Sequence, residues 1–316
     1  MKPNTLQHTP LDEDDDLIET ADFPPEERAR AASRSTWVSV GVNVVLSTAQ
    51  ILAGVFAHSQ ALIADGIHSL SDLLSDFVVL LARRQSNKAA DIDHPYGHQR
   101  FETAASLALG ALLLAVGVGM LWSAIIKLES PSQVPPVHLI ALWVSLAALV
   151  SKELLFRYML TIAQRVKSSL LVANAWHARS DAASSLVVSI GIVGTLLGYP
   201  ILDPIAALIV GFMVSRMGWS FAWEALSDLV DRAADDEEVA AIRKTLLHTP
   251  GVLGVHDLRT RKMGDMIVVD AHLEVLATLS VEAGHTITVS ARQRVLKKHR
   301  VLSLMTHVDP VHSADA

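Results

Sequence analysis

The chain has 316 residues, 51% of them hydrophobic and only 19% charged, and its formal net charge is −7. It contains no cysteine, which excludes disulfides and thiolate metal sites. Nine acids face three bases in residues 1–30, so the remainder is close to neutral and offers no basic surface for nucleic acid.

That acidic, proline-bearing start lacks the basic-then-apolar order of a signal peptide, and residues 1–35 read as a disordered cytoplasmic tail. From Thr36 onward six apolar segments follow, over 36–57, 60–82, 101–127, 137–162, 170–197 and 203–224. Each has about 20 residues or more, enough to cross a bilayer as a helix. The separators "RRQSNKAADIDHPYGHQR", "ESPSQVPP", "AQRVKSS" and "GYPILDP" are short and polar or rich in proline and glycine. Residues 36–232 therefore form a transmembrane domain of six helices. Arg83, Arg84, Lys88 and Arg100 lie after the second segment, and Arg165 and Lys167 after the fourth. The loops after the third and fifth carry almost no basic residues, which places both termini in the cytoplasm of a cell (inner) membrane protein. Trp37 and Trp122, at segment edges, suit interface anchors.

Beyond Asp231 the pattern changes. "DDEEVAAIRKTLLHTPGV" predicts an amphipathic helix closed by Pro-Gly. "MIVVDAHLEV" alternates, with Asp270, His272 and Glu274 on one face of a strand. "SVEAGHTITVSARQRVLKKH" predicts a second helix and "VLSLMTHVDP" a last strand. Residues 233–316 thus make a cytoplasmic α+β domain of αββαβ order. At about 80 residues it can hold a small core, and pairing with a second copy would help.

Ionisable residues inside the apolar segments are the main functional signal, because charge in hydrocarbon is costly. Asp65, His68, Asp72 and Asp76 in the second segment fall within an arc of about 80° at 100° per residue. His177 and Asp181 share a face of the fifth. His68 and His177 each lie about eight residues inside a span, or roughly 12–13 Å at 1.5 Å per residue, so the two His-xxx-Asp pairs sit at matching depth. Two imidazoles and two carboxylates form a plausible tetrahedral donor set for zinc. Their charge of −2 matches a divalent ion, and protons would replace a departing metal. Asp65 and Asp76 read as cavity-lining groups behind the ligands. Arg179 lies between His177 and Asp181 but on another face, and the sequence assigns it no role.

These residues together resemble the cation diffusion facilitator family of divalent-metal transporters, from about Thr36 to Pro310. The resemblance implies six transmembrane helices, a metallochaperone-like cytoplasmic domain, a homodimer, and metal export in exchange for protons. It implies a transport site of His68, Asp72, His177 and Asp181, similar to the two-histidine, two-aspartate sets of zinc-selective relatives. Some members carry aspartate where His68 stands. "DIDHPYGHQRFE" resembles the family's loop site, with Asp91, His94 and His98 as ligands and Asp93 a substitute for Asp91. Arg100 and Asp231 match a structural charge pair. "HDLRTR", "AHLEV", "AGHTI" and "HVDP" match a dinuclear cytoplasmic site of His256, His272, His285, His307 and Asp309. His8, His58, His138, His248, His299 and His312 read as surface residues.

The expected function is export of zinc, with iron(II), cadmium, cobalt or nickel as alternative cargo. Zinc would also be the regulatory ion, with no organic cofactor; the partners are protons, lipid and a second copy. An enzyme would need an open metal position and a base, and the chain has no HExxH motif. A membrane-anchored metal sensor would not need two ionisable pairs at one membrane depth.

Overall fold

A computed structural model describes residues 25–86, 88–129, 135–165 and 169–312. Most of the expected tail, with His8, and the side chain of Asp76 lie outside the described residues. Six long helices come first: α1 (Pro25–Phe56), α2 (Gln60–Ser86), α3 (Arg100–Glu129), α4 (Leu139–Arg165), α5 (Ser169–Leu196) and α6 (Leu202–Leu229). Then follow α7 (Asp236–Leu247), β1 (Gly254–Met263), β2 (Met266–Leu276), α8 (Val281–Lys298) and β3 (Val301–Val311). The helices outrun the apolar segments: α1 begins at Pro25, inside the stretch read as tail, and α6 ends five residues past Glu224. Backbone hydrogen bonding continues where the hydrocarbon-compatible side chains stop, and Pro25 suits a first helical position.

Helices α1, α3, α4 and α6 are long and apolar enough to cross a membrane. Helices α2 and α5 match them in length and carry the His-xxx-Asp pairs. Large apolar side chains such as Val45, Phe77, Trp122, Ile190 and Phe212 stand exposed on these helices, as do Trp37 and Trp143. Such a surface suits lipid rather than water.

The chain forms two compact units. Among the described residues, one comprises those within 25–70 and 127–207, the other those within 71–126 and 208–312. In the first, α4 packs along α5, and α1 against α4. Asp203, in the first turn of α6, accepts from the backbone N–H groups of Gln60 (2.7 Å) and Ala61 (3.3 Å) and from the Ser59 hydroxyl. This carboxylate satisfies donors left open at the start of α2, where a negative charge also meets the positive end of the helix dipole.

In the second unit, α3 and α6 approach through glycine: a methyl at Gly110 would strike the backbone of Ala222, and one at Gly218 that of Leu114. Contacts between small residues of this kind let membrane helices come close without a hydrophobic driving force. The C-terminal part is a three-stranded sheet in the order β1-β2-β3. β1 and β2 form an antiparallel hairpin, and α8 crosses over so that β3 runs parallel to β2. Asp236, Glu237 and Glu238 open α7, and the Ser280 hydroxyl caps α8 by accepting from Ala283 N–H. Ile242, Leu246, Val269, Ala271, Leu273, Ala291 and Val295 form the core. Along β2 the pattern holds as the alternation requires: Val269, Ala271 and Leu273 are buried, while Asp270, His272 and Glu274 are half-buried on the opposite face. His299 is less superficial than the sequence suggests. It is half-buried at the end of α8, its Nε2 2.7 Å from Thr245 Oγ1.

Candidate metal centres

Within the first unit, His68 of α2 and Asp181 of α5 come together in the buried interior, with Nε2 4.0 Å from Oδ1. Both residues are buried. Two tetrahedral donors each about 2.1 Å from zinc stand about 3.4 Å apart, so this gap needs only a slight closure to share an ion. Asp72 follows His68 by one turn of α2 and is half-buried. His177, one turn before Asp181 on α5, is exposed and stands outside the metal-capable grouping that holds His68 and Asp181. Arg179 gains a role that the sequence did not suggest: its guanidinium lies 4.9 Å from the Phe156 ring centre and 5.2 Å from that of Trp176. A cation over aromatic faces is tolerated in an apolar setting.

Beside His68, the fully buried Asp65 takes part in a network that spans four helices. It accepts from Gln50 of α1, from the hydroxyls of Ser184 (3.0 Å) and Ser185 (2.6 Å) of α5, and from the Lys152 ammonium of α4 (3.3 Å). Asp65 was expected as a cavity-lining group, but its partner Lys152 was not expected. A signal was there, since a lone lysine in "ALVSKELLF" is an ionisable residue within an apolar span.

The α2–α3 loop gathers Asp91, His94 and His98. Asp91 Oδ1 lies 3.4 Å from His94 Nδ1, and its Oδ2 lies 3.3 Å from His98 Nε2, the separation that tetrahedral ligation requires. His98 Nδ1 is 3.1 Å from the Ala89 carbonyl. A carbonyl only accepts, so Nδ1 is the nitrogen that donates there, and Nε2 is the one turned toward Asp91. The backbone N–H of His94 donates to Asp91 at 2.7 Å, and that bond first of all holds the Asp91 carboxyl below its ordinary pKa. Asp93 lines a surface cavity of about 400 Å³ together with His94, His98, Tyr96, Arg100 and Arg261. Arg100 binds Asp231 at 2.6 Å and reaches the Leu229 carbonyl at 3.3 Å, closing the C-terminal end of α6. Asp231 has a left-handed backbone there, with φ 65°.

The sheet assembles the last centre. Pairing of His256 with His272 and of His272 with His307 puts three imidazoles in one row across β1, β2 and β3. Asp309, two residues beyond His307 on the same face, divides its oxygens among them. Oδ2 lies 3.1 Å from His256 and 2.9 Å from His272, while Oδ1 lies 3.4 Å from His307. A carboxylate facing histidines with both oxygens can bridge two ions. His285, exposed on α8, is not in this group. Two acids adjoin it: Glu274 lies 3.8 Å from His256, and Asp257 belongs to a grouping with His256 and His272. The strand alternation had placed Glu274 on the His272 face. Asp257, at a bulge between His256 and Arg259 with φ 44°, left no periodic signal.

Long apolar helices holding a buried His–Asp contact, followed by an αββαβ domain with a row of histidines, define a polytopic membrane protein built to handle metal cations. Residues 36–230 match the family described as cation efflux transmembrane domain, and residues 234–311 match the one described as cation efflux protein, cytoplasmic domain. The chain belongs to the cation diffusion facilitator family of divalent-metal efflux transporters. It is 36% identical to metal tolerance protein C1 of Arabidopsis thaliana over 85% of its own length, and spans 60% of that longer relative. It is 32% identical to the manganese efflux system protein MneS of Bacillus subtilis, covering 87% of this chain and 94% of the relative. The magnetosome protein MamB of Magnetospirillum gryphiswaldense is 30% identical over 82% of this chain and 87% of its own.

Proposed function

We propose that this chain exports a divalent cation, with zinc as first choice, from the cytoplasm in exchange for protons at a site of His68, Asp72, His177 and Asp181. The observation that carries this reading is the approach of His68 and Asp181 from different helices, both buried away from water. A buried carboxylate facing an imidazole there needs a compensating positive charge, which an ion or protons supply in turn. His177 shares a helix face with Asp181 and completes the donor set when the ion is bound. The cation enters from the cytoplasmic side, rocking of helices exposes it outward, and protonation releases it and resets the site. α2 and α5 make the count of spans six, with both termini in the cytoplasm. Asp91, His94 and His98 form a loop site. His256, His272, His307 and Asp309 bind regulatory ions, and a second copy of the chain covers a groove of about 620 Å³ lined by Leu276, Val281, Met305 and other residues of β2, α8 and β3.

Manganese is a second reading, for two reasons. One relative at 32% identity is named for manganese efflux. Without His177, the remaining donors are one imidazole and carboxylates, a harder set that suits manganese better than zinc. Proteoliposomes separate these readings. An imposed zinc gradient should drive opposing proton flux through the wild type and none through Asp181→Ala. Flux with manganese but not zinc selects the second reading, and proton-independent uptake would sink the exchange mechanism.

A further inference from the structure

Asp65 and Asp72 share the polar stripe of α2 with His68, one on either side, and by residue type either could ligate an ion. What separates them is Lys152. Its ammonium has three donors, and three acceptors surround it: the Asp65 carboxylate at 3.3 Å, the Ser185 hydroxyl at 2.7 Å and the Asp181 backbone carbonyl at 3.5 Å. Lys152 is 1% exposed and Asp65 is 0% exposed, so no bulk water screens either charge. Asp65 is fully engaged by protein donors, since Gln50, Ser184, Ser185 and Lys152 all point at its two oxygens.

We infer that Lys152 is a charge-setting, positioning residue of the transport site: by pairing with Asp65 it keeps a third carboxylate out of the cation's reach and fixes the charge offered to the ion at −2. This rests on the transport reading given above. A site of Asp65, Asp72 and Asp181 without the lysine would present −3 to a dication, hold it too firmly and leave a net charge in a poor dielectric. With the pair intact, one divalent ion neutralises the site. The lysine also touches the peptide carbonyl of Asp181, the residue whose carboxylate faces His68, so it helps set where that carboxylate stands. Lysine suits the task because its ammonium is a compact point charge.

The inference predicts opposite signatures from the two halves of one ion pair, which a purely structural contact would not produce. In proteoliposomes loaded with zinc or manganese, Lys152→Met frees Asp65 to compete for the ion. Its kcat should fall about tenfold or more, with KM unchanged or lower. Asp65→Asn leaves an unbalanced ammonium beside the site and should raise KM. The double variant Lys152→Met/Asp65→Asn removes both charges and should recover transport to within about threefold of wild type. If Lys152→Met is too unstable to reconstitute, the double variant decides. An inactive or unfolded double variant overturns the inference, as does wild-type kinetics in Lys152→Met while Asp181→Ala is inactive. Normal transport by Asp181→Ala would instead refute the underlying site.

Discussion

Histidine and aspartate meet in two very different solvents in this protein. The His68 side chain is 7% exposed where it faces Asp181, whereas the His307 side chain is 66% exposed where it faces Asp309. At the sheet surface, water can solvate an unoccupied cluster, so a row of histidines there needs no internal counter-charge. Inside the helices every charge needs a named partner, and the Asp65–Lys152 pair with its serine and glutamine donors is what such a requirement produces. The same ligand types therefore stand under different constraints: the sheet cluster is open to water, while the helix site must keep its charges balanced from within.

The sharpest test of that contrast compares two alanines. Asp181→Ala should reduce transport at least about a hundredfold, and Asp309→Ala should leave transport within about tenfold while lowering the number of ions bound per chain by isothermal titration. Equal losses of transport would erase the distinction between the two sites. Next in size is the core under the sheet cluster. Leu273→Ala should destabilise the C-terminal domain by about 2–5 kcal/mol, read from the denaturant midpoint.

A smaller effect concerns His299, whose pKa is lowered, chiefly by desolvation and then by Lys298. A histidine held neutral by the fold stabilises most fully above its unfolded pKa and loses that stability as pH falls. The domain should therefore weaken as pH drops from about 6.5, and Thr245→Val should cost about 1 kcal/mol. The smallest effects belong to exposed groups. Arg100→Ala should change stability by no more than about 1 kcal/mol, because its ion pair with Asp231 is solvated. The Asp91 carboxyl should titrate by NMR below an unstructured aspartate, and His94→Pro, which removes the backbone donor, should bring it back up.

Much of this was legible from periodicity. Six apolar runs announced six long helices, and alternation along "VVDAHLEV" fixed which face of β2 is buried and which carries His272. Charge patterns served less well where a partner lies far along the chain. Arg179 looked unexplained because Phe156 is on another helix, and Lys152 drew no expectation because Asp65 is 87 residues away.

From the sequence alone came the order and kind of the elements and the short-range ligand sets, since helix faces and strand faces repeat over two to four residues. The loop triad of Asp91, His94 and His98 came instead from the family resemblance, and the folded loop brings its ligand atoms together. Only the folded chain decided which acid on α2 is held by a lysine, that Asp309 turns both oxygens toward histidines on three strands, and that His177 and His285 stand apart from their expected partners in this conformation. Those outcomes depend on distances between separate helices and strands, and a linear pattern carries no record of them.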